Sequence, residues 1–96
     1  MSMRWPIAIY RIAERSMEPT LREGDYIIAC NLLKIDEGQI VVAEHPTRRI
    51  PIVKRVSGIS SGSVFLSGDN PKESEDSRVF GPIAKDKVFG KVIMRI

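Results

Sequence analysis

Many short strand signals, almost no helical periodicity and frequent Gly/Pro punctuation predict a small all-β fold, a β-sandwich or a partly open barrel with little helix. The chain has 96 residues, including 7 Gly and 6 Pro. That length makes one domain, residues 1–96, with no room for a second core. A hydrophobic fraction of 43%, with one Trp, two Tyr and three Phe, suits a folded unit rather than a disordered one.

The elements follow in order. Residues 7–13 alternate, with Ile7, Ile9 and Arg11 on one face and Ala8, Tyr10 and Ile12 on the other. Trp5, Ile7 and Ile9 are expected to cover an open edge of the core. Glu18-Pro19 and Gly24-Asp25 bracket a turn or one short helical turn. Tyr26–Cys30 is a β-rich run, and Gln39–Glu44 is another, stopped by His45-Pro46. Residues 50–57 and 63–66 then form a hairpin around a Gly58–Gly62 turn of Ser and Gly. Residues 68–82, GDNPKESEDSRVFGP, are polar and aperiodic, and a loop of that length in a small domain points to function. Residues 87–96 close the chain as a strand, with Val88, Gly90, Val92, Met94 and Ile96 on one face.

Composition narrows the function classes. The formal net charge is +3, but 15 basic and 12 acidic residues are interspersed without a basic run, so nothing marks a nucleic-acid surface. Cys30 is the single cysteine; it forms no intrachain disulfide, supports no cysteine metal cluster and reads as a small buried hydrophobe. His45 reads as a turn histidine at a strand end, and no metal or cofactor is assigned. The apolar runs fall far short of the roughly 18 residues of a membrane helix. Residues 1–13 are neither a spanning segment nor a good secretory signal. The expected location is the cytoplasm, with a membrane-associated placement as the alternative.

One pair of residues carries chemistry. Ser16 lies on the turn SMEPTLREGD, and Lys54 interrupts the apolar strand IPIVKRV. Strand alternation puts Lys54 in a row with Ile50, Ile52 and Val56, where its ammonium loses hydration and the neutral amine is favoured. A neutral amine within reach of Ser16 takes the proton as the hydroxyl attacks a carbonyl. The plainer readings stand beside this one. Lys54 snorkels from a half-buried strand without chemistry, and Ser16 caps a helical turn.

The flanking blocks tip the balance. SMEPTLREGD, EGQIVVAEHP, PIVKRV and SGDNPKESEDSR, in that order, resemble the signal-peptidase-like Ser/Lys endopeptidases. The resemblance runs from about Ala13 to Val92 and implies Ser16 as nucleophile, Lys54 as general base and Arg55 as its companion. It also implies Ser74 as the hydroxyl that orients the amine, with Asp69, Asp76 and Arg78 bracing that loop. The Asp76 and Arg78 pair is expected to be structural. The backbone amide of Ser16 is expected to contribute to an oxyanion hole.

Departures from the family pattern are informative. The family often places Gly or Ser two residues before the nucleophile, where this chain has Glu14, whose carboxylate opposes a developing oxyanion unless turned away. Only residues 56–67 separate Arg55 from Gly68, enough for one hairpin, so the resemblance implies a minimal soluble catalytic core. HPTRRIPIVKRV and LSGDNPKESEDSRVFGPI are similar to the subgroup of nickel-type superoxide dismutase maturation proteases. That implies a precursor with an N-terminal leader as partner, nickel superoxide dismutase the first candidate. The alternatives are a signal peptidase I-type core acting on secretory signal peptides and a catalytically silent module of the same fold. A self-cleaving repressor domain is set aside, because fifteen residues before Ser16 cannot hold a helix-turn-helix.

Overall fold

A computed structural model describes residues 6–96 of the chain; Trp5 lies outside the described residues. Its strands are β1 (Ile7–Arg11), β2 (Tyr26–Cys30), β3 (Ile40–Glu44), β4 (Pro51–Ser60), β5 (Ser63–Ser67), β6 (Ile83–Ala84) and β7 (Val88–Arg95). They form one antiparallel sheet in the order β1-β2-β7-β3-β4-β5-β6, curled as a half-barrel. This is the open-barrel form of the expected all-β fold rather than two stacked sheets. No helix among the described residues is long and apolar enough to cross a membrane.

The core lies on both faces of the curled sheet. In β3, Val41 and Ala43 face a cluster with Ile52, Val56, Val64, Leu66 and Ile83, whereas Val42 faces a second cluster with Ile12, Met17, Leu21, Ile27 and Ala29. Burial on both sides explains why IVVAE is almost unbroken apolar sequence instead of alternating with polar residues. The second face is sealed by the connection between β1 and β2, which contributes Ile12, Met17 and Leu21. Burying a side chain such as Met17 contributes about 1.5–3 kcal/mol, and here that burial also fixes the backbone of its neighbour, Ser16.

Three irregularities separate the structure from simple alternation. Ile28 pairs with Met94 but Ala29 with Val92, so Ile93 bulges from β7; Val42 and Ala43 likewise skip Phe89, and Val56 and Gly58 skip Ser57 on β4. Each extra residue shifts the following side chains to the other face. The expected single face of Val88, Gly90, Val92, Met94 and Ile96 is therefore broken: Val88 packs on the first cluster and Val92 on the second. Met94 and Ile96 are exposed.

The hairpin is tighter than the Ser/Gly composition indicates. β4 runs to Ser60 and the turn is only Ser61-Gly62, both at positive φ (47° and 80°), as a two-residue I′-type loop requires. Ile7 and Ile9 do not cover a core edge; both are exposed, and Tyr10 is the β1 residue that packs inward. Within residues 68–82 the chain makes a 3-10 turn at Pro71–Glu73 and a four-residue helix, α1 (Ser77–Phe80), rather than an unstructured loop. Asp76 is the N-cap of α1, accepting the Arg78 N–H. Its side chain satisfies a donor the helix cannot.

Candidate functional site

Ser16 and Lys54 come together. Nζ of Lys54 lies 2.8 Å from Oγ of Ser16, with Lys54 only 2% and Ser16 4% exposed. Ser16 reaches this place because Met17 anchors the turn in the second cluster, and because Arg15 and Ser16 are gripped from behind by Asn70. The Asn70 N–H donates to Ser16 O at 2.8 Å, and its side-chain amide donates to Arg15 O at 3.1 Å. Lys54 reaches it from β4, opposite Val41 and in the same row as Ile52 and Val56. Desolvation by this burial lowers the Lys54 pKa below the ordinary lysine value. Glu14 and Asp76 pull it back upward, Arg48 adds to the lowering, and Glu75 opposes it weakly. The net effect is a shift toward the uncharged amine, the form whose nitrogen carries a free lone pair.

The GDN block joins the other two. Asp69 accepts from Arg55 Nε at 2.8 Å and Nη2 at 2.7 Å, a bidentate pair, and from Thr20 Oγ1 at 2.6 Å. The Arg55 hydrogen bond holds the Asp69 carboxyl below its usual range. Arg55 also donates to Gly38 O at 2.6 Å. One carboxylate thus ties the Ser16 turn, through Thr20, to the lysine strand, through Arg55. Gly68 is small for a spatial reason: a Cβ there would overlap the Ser74 side chain and lie 2.8 Å from Ser16 O.

Ser74 therefore packs against Gly68. Its hydroxyl approaches Asp76 Oδ2 at 3.4 Å, and no hydrogen bond to Lys54 is formed among the described residues. Asp76 is fully buried. Burial pushes its carboxyl upward, but the Arg78 side chain and the amides of Gly68 and Arg78 outweigh this and hold it at about 2. Arg78 meets it with Nε and Nη2, both at 3.0 Å. Asp76 also accepts the Gly68 N–H at 3.1 Å, fastening α1 to the end of β5.

Glu14 is turned toward Arg48, 4.0 Å from its Nη1, and is half exposed. Beside it, a groove leads to Ser16. Its walls include Ile12, Ala13 and Glu14 on one side and residues 50–53 on the other. β1 pairs only with β2, and β4 meets β5 only from Arg55 onward. Both walls thus present strand edges with no strand neighbour among the described residues.

Sequence reasoning missed three parts of this arrangement. Asn70 stood in a quoted motif without a role, and Thr20 was absorbed into a turn. His45, read as a turn residue, is buried and bonded to Glu75 at 2.7 Å. No group of three or more His, Cys, Asp or Glu side chains among the described residues is placed to hold a metal.

Comparison with known proteins bears on the whole chain. The family model described as signal peptidase, peptidase S26 matches residues 2–61 and 57–96. Mitochondrial inner membrane protease subunit 1 of Mus musculus is 33% identical over 106 residues, covering 84% of this chain and 64% of that protein. The Homo sapiens protein of the same name gives the same identity and coverage. Signal peptidase I of Streptococcus pneumoniae (strain ATCC BAA-255 / R6) is 34% identical over 70 residues, 69% of this chain and 34% of that protein. The chain thus spans just under two thirds of the length of its mitochondrial relatives. By the extent of the family match and the identity to these relatives, the chain belongs to the signal peptidase family, peptidase S26.

Proposed function

We propose that this chain is a serine endopeptidase that removes an N-terminal leader from a precursor protein, with Ser16 as nucleophile and Lys54 as general base. The observation that carries the reading is the buried amine, driven toward neutrality, 2.8 Å from a buried serine hydroxyl at the end of an open-edged groove. The precursor lies extended in the groove, adding main-chain hydrogen bonds to the strand edges on either side. Ser16 Oγ attacks the scissile carbonyl while its proton passes to Lys54 Nζ. The resulting ammonium protonates the leaving amine, and a water then cleaves the acyl-serine with Lys54 again as base. The Ser16 backbone N–H stabilises the oxyanion. Glu14 pairs with Arg48 at 4.0 Å, which offsets part of its negative charge near the site. The family resemblance supports Ser74 as the hydroxyl that orients the lysine amine.

The first substrate to test is the nickel superoxide dismutase precursor, and a cytoplasmic location accompanies that choice. Incubation with this precursor, followed by mass measurement of the new terminus, is expected to show a single cut in the wild type. Ser16→Ala and Lys54→Met are expected to leave it intact; processing that survives both substitutions excludes the dyad. Similarity to a protein named signal peptidase I favours a second reading, in which secretory signal peptides are the substrate. Offering both leaders in one reaction separates the two by which is cut first.

A further inference from the structure

His45 is 2% exposed, yet it carries two ring nitrogens that must be satisfied. Nδ1 accepts the backbone N–H groups of Thr47 at 3.2 Å and Arg48 at 3.1 Å. Two donors aimed at one nitrogen leave it no room for a hydrogen, so the proton is assigned to Nε2. Nε2–H donates to Glu75 Oε1 at 2.7 Å. The ring is held edge-on by Phe80 of α1, centroids 5.0 Å apart.

Glu75 is an odd partner for a core histidine. Its side chain is half exposed, so nothing in the packing requires the carboxylate to sit where it does. It stands between Ser74, packed against Gly68, and Asp76, the cap of α1. His45 starts the loop that leads directly into the strand carrying Lys54. The same loop places Arg48 4.0 Å from both Glu75 and Glu14, on the nucleophile turn. In satisfying the second ring nitrogen, Glu75 also ties the loop that leads into β4 to the Ser74–Asp76 segment.

We infer that His45 is a positioning residue for the Ser16/Lys54 site, its Nε2–H···Glu75 bond holding the Ser74–Asp76 segment in register with the lysine strand. The inference rests on the peptidase reading for its catalytic consequence but not for the clamp itself. Losing the bond lets the segment drift from Gly68, and Ser74 with it. A small displacement near reacting groups is enough to cost rate without costing substrate affinity.

The test uses three variants of the full chain and two readouts. Glu75→Ala removes the acceptor at a half-exposed position. Glu75→Gln keeps an oxygen for Nε2–H. His45→Asn keeps an acceptor for the loop amides but is too short to reach Glu75. Amide hydrogen exchange at Gly68 and Arg78 is expected to quicken in Glu75→Ala and His45→Asn and to stay near wild type in Glu75→Gln. On a leader peptide, kcat of the first two is expected to fall about tenfold with KM little changed, while Glu75→Gln recovers most of it. Unchanged exchange in Glu75→Ala overturns the clamp. Faster exchange with unchanged kcat overturns the positioning role. Absence of Ser16-dependent cleavage in the wild type would instead strike the peptidase reading, and exchange still decides the clamp.

Discussion

Lys54 on β4 and Asp76 in the 68–82 segment are both buried ionisable side chains within one site, and their surroundings treat them in opposite ways. Lys54 sits among Val41, Ile52 and Val56 with a serine hydroxyl as its hydrogen-bond partner, and burial drives it toward the neutral form. Asp76 has a bidentate Arg78 and two backbone amides, and stays ionised down to a pKa of about 2. Around Lys54 desolvation outweighs the upward pull of Glu14, Asp76 and Glu75; around Asp76 the hydrogen bonds outweigh desolvation. Burial of an ionisable group that its partners only partly offset costs stability and shifts its pKa toward reactivity. Compensated burial fixes a backbone. On this account the lysine region performs chemistry and the aspartate region holds it in place.

The sharpest break of that contrast is Lys54→Met. Cleavage is expected to fall by about 10²–10⁴-fold, as it should for Ser16→Ala. Thermal stability is expected not to fall, because a neutral side chain of similar length removes a desolvation penalty. The sign follows from the lowered pKa. The wild type carries a penalty that grows as pH drops below the ordinary lysine value, so the Lys54→Met gain is larger at neutral than at high pH.

Asp76→Asn is expected to do the reverse, lowering stability first. Because the folded carboxyl is depressed from 3.8 to about 2, its contribution is present above pH 4 and is lost as pH falls through the folded value. That contribution is on the order of 2 kcal/mol. Denaturant unfolding of wild type and variant should therefore differ at pH 6 and converge near pH 2.

Gly68→Ala probes the contact between the two regions. The added methyl group meets the Ser74 side chain and Ser16 O, and overpacking of this kind costs about 1–3 kcal/mol. Calorimetry should show the loss of stability, and the peptide assay should show reduced turnover. The smallest effects come from the rim. Glu14→Gln removes a charge that raises the Lys54 pKa, so the acid limb of kcat/KM is expected to move to lower pH; Arg48→Met should move it higher. Each changes activity on that limb by about two- to fivefold.

Legibility in the sequence follows the same division. Strand positions came from alternation and turn residues, and Tyr26–Cys30 matches its strand end for end. Alternation failed where a bulge intervened, at Ser57, Phe89 and Ile93, since no residue type marks an extra position in a ladder. Lys54 stood out because one charge interrupts an apolar row. His45 and Asn70 did not, because their value lies in partners 30 and 55 residues away along the chain. Only the fold brings those partners near. Asp76 was readable as a bracing charge from the resemblance, but its helix cap was not, α1 being too short for a periodic signal.

The most direct test of the account is the titration of Lys54 itself, followed by NMR of its side-chain methylene next to Nζ across pH. The predicted result is a Lys54 transition below the ordinary lysine value. A Lys54 resonance that titrates together with the surface lysines would contradict it, leaving a charged side chain that cannot take the proton from Ser16.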